Sequence, residues 1–229
     1  MDASSSSWRS GLFSVITWVF NMKITNLGHA SFLFEGKEVS FVTDPYRNNS
    51  VPRLKMPHVK ANFVFCSHNH YDHDAKDLIS LVKTDKELKY ETVVVPHDHH
   101  NGAHRGLNKM HIFYIDGLKI IHTGDLGCIP SLEVLEKMKD VDILLAPING
   151  YYTISSDELF KIVNIVKPRV TIPMHYYNEK DGSGYPDGNQ IFEFKKLIKE
   201  YQEIDGVSIE VNEDLLNNKF VIFSKAYQE

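Results

Sequence analysis

Residues 63–74 read FVFCSHNHYDHD, an apolar run followed at once by a cluster of histidine and aspartate residues. The apolar run predicts a buried strand that ends near Ser67. The residues that follow it, with the spacing H-x-H-x-D-H, are His68, His70, Asp72 and His73. Imidazole and carboxylate groups are the ligands that zinc and similar divalent ions bind. Because so short a segment would be strained around one ion, we expect its side chains to point at two neighbouring ions.

Other histidine and aspartate residues also come directly after predicted strands. Asp44 follows Val39–Thr43, His97 follows Val93–Pro96, Asp125 follows Lys119–Gly124, and His175 follows Val170–Met174. In open α/β sheets, ligands bind at the carboxyl ends of the strands. These residues together supply enough ligands for two metal ions, with coordination positions left for water. The convergence of several strands on one site supports it more strongly than any single motif.

The composition is otherwise that of an ordinary globular protein. The chain has 229 residues, of which 42% are hydrophobic, and its formal charge is −5. Proteins that bind nucleic acid through its phosphates usually carry a basic surplus, so no nucleic-acid partner is expected. The two cysteines, Cys66 and Cys128, are too few for a disulfide scaffold or a cysteine-rich zinc module. The twelve histidines are therefore the unusual feature of the composition.

Residues 22–229 are expected to form one layered α/β domain with mixed sheets. Short apolar runs alternate there with helical segments, which is typical of this class. The predicted helices are Ala75–Val82, Pro130–Met138, Ser156–Val166 and Asn189–Tyr201. A loop rich in glycine and aspartate is expected over Lys180–Asn189.

Residues 1–21 differ from the rest and are expected to be an N-terminal extension. Their apolar stretch, GLFSVITWVF at residues 11–20, is too short to cross a bilayer. No small-residue cleavage site follows it, which argues against a secretory signal. We therefore expect a cytoplasmic protein without a transmembrane segment. Contact of residues 11–20 with a membrane surface is left open, as is the oligomeric state.

Several motifs together resemble the metallo-β-lactamase superfamily. Besides the H-x-H-x-D-H segment, they are Gly28-His29-Ala30-Ser31, Thr43-Asp44-Pro45, His97-Asp98, His122-Thr123-Gly124-Asp125 and Pro173-Met174-His175-Tyr176. They look like the branch of small stand-alone metal-dependent hydrolases related to ascorbate-6-phosphate lactonases and N-acyl phosphatidylethanolamine phospholipases D. The resemblance runs from Met22 to about Tyr176. It implies an αββα sandwich, in which two mixed β-sheets are flanked by helices.

The resemblance also implies a centre with two divalent ions, expected to be Zn²⁺, although Mn²⁺ and Fe²⁺ accept the same ligands. It places His68, His70 and His97 on one ion, Asp72, His73 and His175 on the other, and Asp125 on both, with a hydroxide between the ions. His99 and His100 lie in the same segment as His97 and remain alternative ligands. Three further residues are expected beside the ligands: Asp44 would orient them, and His29 and His122 would be hydrogen-bonded rather than coordinating.

The implied chemistry is hydrolysis of an ester, lactone or phosphodiester bond in a small molecule. A hydroxide shared by two ions would attack the carbonyl carbon or the phosphorus. Asp72 is the candidate catalytic residue, because it would orient the hydroxide and transfer a proton. Tyr152 and Tyr176 are candidates for contacts with the substrate, with Lys180–Asn189 at the rim of the site.

Two other functions are considered. A nuclease of the same fold normally carries an inserted domain for RNA, and the chain between Asp125 and His175 is too short for one. A non-catalytic metal-binding protein or sensor would have a metal site without hydrolytic activity. The complete set of ligands favours an enzyme over such a protein.

Overall fold

Two five-stranded β-sheets form the centre of the molecule. The computed structural model describes Phe20 and residues 22–228. The strands in this part of the chain are β1 (Lys23–Gly28), β2 (Ser31–Glu35), β3 (Ser40–Thr43), β4 (Lys60–Ala61), β5 (Phe63–Phe65), β6 (Ser80–Leu81), β7 (Lys89–Pro96), β8 (Leu107–Ile115), β9 (Leu118–His122), β10 (Ile143–Pro147), β11 (Val170–Met174), β12 (Gln202–Ile204), β13 (Ser208–Glu210) and β14 (Val221–Phe223). The α-helices are α1 (Leu132–Met138), α2 (Ser156–Val166), α3 (Ile191–Leu197) and α4 (Glu213–Leu216).

Both large sheets are mixed. The first has the strand order β13-β1-β2-β3-β5, in which only the β3–β5 pair is parallel. The second has the order β11-β10-β9-β8-β7, in which β11, β10 and β9 are parallel and the remaining pairs are antiparallel. Two short pairs, β4 with β6 and β12 with β14, lie outside them. The predicted sandwich of two mixed sheets is confirmed.

Alternating side chains divide the first sheet between two apolar cores. Successive residues of a strand point to opposite faces, so Phe32 and Phe34 of β2 enter the core shared with the second sheet, while Leu33 faces outward. Phe41 of β3 is fully buried and stacks on Phe34, with ring centroids 4.6 Å apart. Its ring centroid also lies 4.3 Å from that of Phe113 in β8. Phe41 therefore joins the two sheets at the centre of the molecule.

The two outer layers of the sandwich differ in kind. On the second sheet, the buried apolar residues of α1, α2 and α3 form one core with residues of β7, β8, β9 and β10. Helix α2 begins with a capping box, in which the Ser155 hydroxyl and the Glu158 carboxylate bond each other's backbone N–H groups. The outer face of the first sheet is instead covered by irregular chain, with Tyr46, Val51 and Leu54 packed on it.

The prediction of a helix over Ala75–Val82 is wrong. The segment forms a single 3-10 turn at Lys76–Leu78 and then the strand β6, which pairs with β4. The N–H groups of Ser80 and Val82 donate to the carbonyls of Val59 and Ala61. Strand pairing therefore uses the backbone N–H groups that would form the hydrogen bonds of a helix. The helix predicted to end at Tyr201 ends at Leu197, because residues from Gln202 onward pair with β14.

The predicted N-terminal extension, residues 1–21, lies outside the described residues apart from Phe20. Phe20 is half-buried and packs against the core between the two sheets. Within the described range, no helix has the length and apolar character needed to cross a membrane.

Phe41→Ala should lower the free energy of unfolding by about 3–5 kcal/mol, because it leaves a cavity where the two sheets meet. Urea denaturation measures this loss. Phe192→Ala is the matched control: its ring is 48% exposed, and we expect a change within about 0.5 kcal/mol. Equal losses in the two variants would contradict the assignment of Phe41 to the inter-sheet core.

Candidate metal centre

The buried carboxylate of Asp44, directly after β3, organises the segment that follows β5. Its Oδ1 accepts the Ser67 N–H at 2.6 Å, and its Oδ2 accepts the Ser67 hydroxyl at 2.7 Å. The same Oδ2 lies 3.0 Å from Nδ1 of His73, which donates to it. The Ser67 hydroxyl, having donated its hydrogen to Asp44, accepts from Nδ1 of His68 at 2.9 Å. Both histidines thereby carry a proton on Nδ1, which leaves Nε2 as the nitrogen that can bind a metal ion. Nε2 of His68 lies 2.9 Å from Nδ1 of His70.

Asp125 lies at the centre of the histidine cluster. Its Oδ2 is 3.2 Å from Nε2 of His73 and 3.2 Å from Nε2 of His175. It is also 3.4 Å from Nε2 of His97 and 3.9 Å from Nε2 of His68. One carboxylate oxygen therefore faces histidines delivered by both sheets.

Asn108 and Gly124 set the position of Asp125. Asn108 accepts the Asp125 N–H at 2.9 Å and donates to the Thr123 carbonyl at 2.7 Å. Gly124 has a φ of +56°, and a Cβ there would lie 2.3 Å from Oδ1 of Asn108 and 2.4 Å from Cβ of Ser67. The close approach of these side chains to the backbone therefore requires glycine at this position.

The structure brings all seven predicted metal ligands together. They form three overlapping groups in which the ligand atoms lie within 4.8 Å of one another: His68 with His70 and His97; His68 with His73 and Asp125; and Asp72 with His73, His175 and His29.

His29 belongs to the last of these groups, although its sequence motif predicts a position beside the ligands. Its Nε2 lies 3.3 Å from Oδ2 of Asp72, and neither ring nitrogen has a well-aligned hydrogen bond.

His122 and the exposed histidines have other partners. Nε2 of His122 donates to the Ala30 carbonyl at 2.8 Å, and its Nδ1 accepts the Gly124 N–H at 3.2 Å. The ring of His99 is exposed and lies 2.8 Å from a carboxylate oxygen of Glu158. The rings of His100 and His104 stack on each other, with centroids 4.3 Å apart. Of the three alternative ligands, only His97 belongs to one of these candidate groups of the described residues.

Burial lowers the pKa of three histidines in the cluster. It lowers the pKa of His68 to about 3 and that of His29 to about 4, with neighbouring histidines adding to the effect. The pKa of His97 is lowered too, mainly by burial. At neutral pH these imidazoles therefore offer the unprotonated nitrogen that a metal ion needs.

Negative charge accumulates around His73. Burial opposes protonation of its ring, but the carboxylates of Asp125, Asp72 and Asp44 together raise the pKa of His73 well above its ordinary value. A positive charge is therefore stabilised at this point of the site.

The donor atoms fit a divalent cation. Nε2 of His73, Nε2 of His97 and Oδ1 of Asp125 are buried and have no hydrogen-bond partner among the described residues. Unpaired polar atoms in the interior are costly, and a cation would satisfy all three. Nitrogen and carboxylate oxygen are also the donors that zinc, manganese and iron accept.

The cluster opens into a cleft of about 270 Å³. Its lining residues are His70, Asp72, His97, Arg105, Asp125, Tyr152, His175 and Tyr185. The predicted substrate-contact residue Tyr152 is among them. Tyr176 is not: its hydroxyl approaches the Phe223 carbonyl at 3.4 Å, and its ring lines a separate cavity of about 30 Å³.

Five residues that shape the site have no role predicted from the sequence: Ser67, Asp98, Arg105, Asn108 and Tyr185. Asp98 lies within a motif that carried the family resemblance, but nothing in that motif revealed its hydrogen bonds. Tyr185 lies in the predicted rim loop. Its hydroxyl is 3.0 Å from Oδ2 of Asp72 and 2.8 Å from the Ser50 carbonyl.

Asp98 holds together the loop that carries Arg105. Its two carboxylate oxygens accept the backbone N–H groups of His100, Gly102, His104 and Arg105 at 2.7–3.0 Å. Burial opposes ionisation of Asp98, but these four donors hold its pKa well below the ordinary value. The loop therefore depends on the ionised carboxylate.

Comparisons with known proteins identify the family of the chain. A family model described as "Beta-lactamase superfamily domain" matches residues 23–175. The chain is similar to a UPF0173 metal-dependent hydrolase of Thermoplasma acidophilum, with 30% identity over 188 residues covering 68% of this chain and 84% of the relative. It is also similar to one from Archaeoglobus fulgidus, with 28% identity over 232 residues covering 83% of this chain and 94% of the relative.

A solved structure from Thermotoga maritima, assigned to the metallo-β-lactamase superfamily, has a similar fold. The TM-score is 0.69 with 28% sequence identity, and the match covers 88% of this chain and 98% of that one. Zinc dependence has been proposed for that protein.

Asp98→Asn should loosen the 100–105 loop, because an amide has one acceptor oxygen where the carboxylate has two. Hydrogen exchange at the four amides that Asp98 bonds should become faster. The folded pKa of Asp98 lies below its unfolded value, so its stabilising effect is present above about pH 4 and is lost as the pH falls further. The difference in unfolding free energy between wild type and Asp98→Asn should therefore shrink from pH 7 to pH 3.

Asp116→Asn is the matched control, because Asp116 accepts a single exposed backbone N–H, that of Lys37. It should leave exchange in the 100–105 loop unchanged. Unaltered exchange in Asp98→Asn would contradict the role given to this carboxylate.

Proposed function

Because the chain belongs to the metallo-β-lactamase superfamily and is a metal-dependent hydrolase, we propose that it binds two metal ions side by side and cleaves an ester, lactone or phosphodiester bond in a small molecule. The observation that carries this proposal is the position of Asp125. Its Oδ2 lies within 4 Å of the Nε2 atoms of four histidines. One carboxylate shared between two groups of ligands suits a pair of ions better than a single one.

In this proposal each ion has its own protein ligands. His68, His70 and His97 would hold one ion, and Asp72, His73 and His175 would hold the other, with Asp125 available to both. Zn²⁺ is the proposed metal, because imidazole and carboxylate suit it and zinc dependence has been proposed for the Thermotoga maritima relative. When bound, such ions lower the pKa of water and stabilise negative charge on the group under attack.

Asp72 is proposed as the proton-transferring residue. Burial opposes its ionisation, but the neighbouring His73 and His29 hold its pKa well below the ordinary value. The lowered pKa keeps this carboxylate ionised at neutral pH, which is the form that can take up a proton, and the side chain lines the cleft. The Tyr185 hydroxyl, 3.0 Å from Oδ2, fixes the orientation of this carboxylate. His29, 3.3 Å from the same oxygen, is proposed as a second positioning residue.

The size of the cleft supports a small substrate. A volume of about 270 Å³ lies just below the range that drug-sized ligands occupy. Tyr152 forms one wall and is proposed to pack against the substrate. Tyr176 lies outside the cleft and has no part in the proposal. The cytoplasmic location expected from the sequence stays a prediction.

Asp72→Asn should reduce hydrolysis of a generic p-nitrophenyl ester or of bis-p-nitrophenyl phosphate by about 10²- to 10⁴-fold, because an amide does not accept the proton. The rate is expressed per bound metal ion, measured by elemental analysis of the same sample, since the residue is also a proposed ligand. Asp77→Asn is the matched control, because Asp77 is exposed and pairs with Arg47 outside the cleft. A wild-type rate per metal ion in Asp72→Asn would refute this mechanism.

Metal binding without hydrolysis of either substrate class by wild type would favour the sensor alternative.

His97→Ala should bind about one ion per chain fewer than wild type, whereas His99→Ala should bind as many as wild type. Removing a ligand weakens an ion's coordination, while His99 only pairs with Glu158 at the surface. Elemental analysis after dialysis against metal-free buffer measures both, with His100→Ala as a further control. Metal loss in His99→Ala or His100→Ala, with full occupancy in His97→Ala, would reassign the ligand.

A further inference from the structure

Arg105 is the basic residue in the wall of the cleft. The other lining residues of that cleft are histidines, aspartates and tyrosines. Arg105 is half-buried, yet the structure gives its guanidinium no carboxylate partner and no hydrogen bond within the described residues. By contrast, Arg47 pairs with Asp74 and Asp77, and Arg169 pairs with Asp142 and Glu213.

The guanidinium of Arg105 is held in place without using its hydrogen-bond donors. The backbone N–H of Arg105 donates to Oδ2 of Asp98 at 2.8 Å. The guanidinium carbon lies 4.5 Å from the centroid of the Tyr152 ring. Contact with a ring engages a planar guanidinium through its charge and leaves the in-plane N–H groups available. Arg105 therefore presents an oriented set of unused donors to the cleft.

Arg105 is also linked to the proposed reaction centre through neighbouring side chains. The ring of Tyr152 has its centroid 5.4 Å from that of Tyr185. The hydroxyl of Tyr185 in turn lies 3.0 Å from Oδ2 of Asp72. One small molecule in the cleft would thus meet Asp72 at one end and Arg105 at the other.

We propose that Arg105 binds an anionic oxygen group of the substrate, a carboxylate or a phosphate, at the end of the molecule remote from the bond that is cleaved. This inference rests on the proposed function, which it narrows to small anionic esters, lactones or phosphodiesters. A guanidinium matches both anions with two parallel N–H···O bonds. A half-buried cation without a partner also gains more from such a contact than a fully hydrated surface arginine does.

The competing role for Arg105 is structural, as a support for the Tyr152 ring. A structural role would affect all substrates alike, whereas anion binding would affect only those that carry the charge. Three p-nitrophenyl esters of equal chain length separate the two roles: the hexanoate, the adipate half-ester and the 5-phosphonopentanoate. They share the leaving group and the scissile bond and differ in the remote group, so the last two also distinguish carboxylate from phosphate-like recognition.

The quantity measured is the ratio of kcat/KM for each anionic ester to kcat/KM for the hexanoate. In wild type this ratio should exceed one, and in Arg105→Met it should fall by about 10- to 100-fold, as expected for a lost charge-assisted hydrogen bond. Arg53→Met removes the same charge from an exposed arginine outside the cleft and should keep the wild-type ratio. A ratio unchanged by Arg105→Met, or no wild-type preference for either anion, would overturn the inference.

A separate binding measurement distinguishes failure of this inference from failure of the proposed function. If wild type hydrolyses none of the three esters, saturation-transfer NMR with adipate and with phenylphosphonate takes their place. Binding to wild type and Arg53→Met but not to Arg105→Met would support the anion site even without ester hydrolysis. Equal signals from all three proteins, or none from wild type, would overturn it.

Discussion

The carboxylate of Asp44 is the group on which the arrangement of the site depends. It is fully buried and accepts hydrogen bonds from the Ser67 backbone, the Ser67 hydroxyl and Nδ1 of His73. Burial by itself would disfavour the charged form, but the surrounding histidines, chiefly His73, keep its pKa well below the ordinary value. This one ionised group thereby fixes the turn of the chain after β5. It also determines that His68 and His73 present Nε2, rather than Nδ1, to a metal ion. An uncharged residue of the same shape, such as asparagine, would not accept all three of these hydrogen bonds.

Charge and burial explain why these side chains form a metal site rather than a hydrogen-bonded polar core. Nε2 of His73 and Nε2 of His97 lie 3.2 and 3.4 Å from Oδ2 of Asp125, yet neither nitrogen forms a well-aligned hydrogen bond, so both are left unsatisfied. The carboxylates around His73 favour a positive charge at the same place. Both effects are relieved by a cation between the groups. The supporting residues thus make the cluster selective for cations before any particular metal is considered.

The sequence predicted the sheets and the convergence of the candidate ligand residues well, because both follow from local rules. Apolar strands of period two end at the site, and the residue directly after each strand enters it, as with Asp44 and His97. Interactions between distant segments escaped prediction. The 75–82 segment has a helical pattern, but pairing with β4 decided its structure. Tyr185 reaches Asp72 across 113 positions of the chain, a contact that no local pattern contains. Arg105 gained a candidate role only when the fold placed it in the cleft wall.

His29 follows β1 in the first sheet, and His175 follows β11 in the second. The N–H of His175 donates to the carbonyl of His29 at 3.1 Å, and both residues have positive φ. The proposed centre therefore spans the seam of the sandwich, with ligands anchored on either side of it. An ion bound there would link the two sheets, and its binding free energy would stabilise the folded state. Substitution of a ligand residue would then alter the stability and the chemistry of the protein together. Substitution of Arg105 or Tyr152 in the cleft wall would leave the link between the two sheets intact.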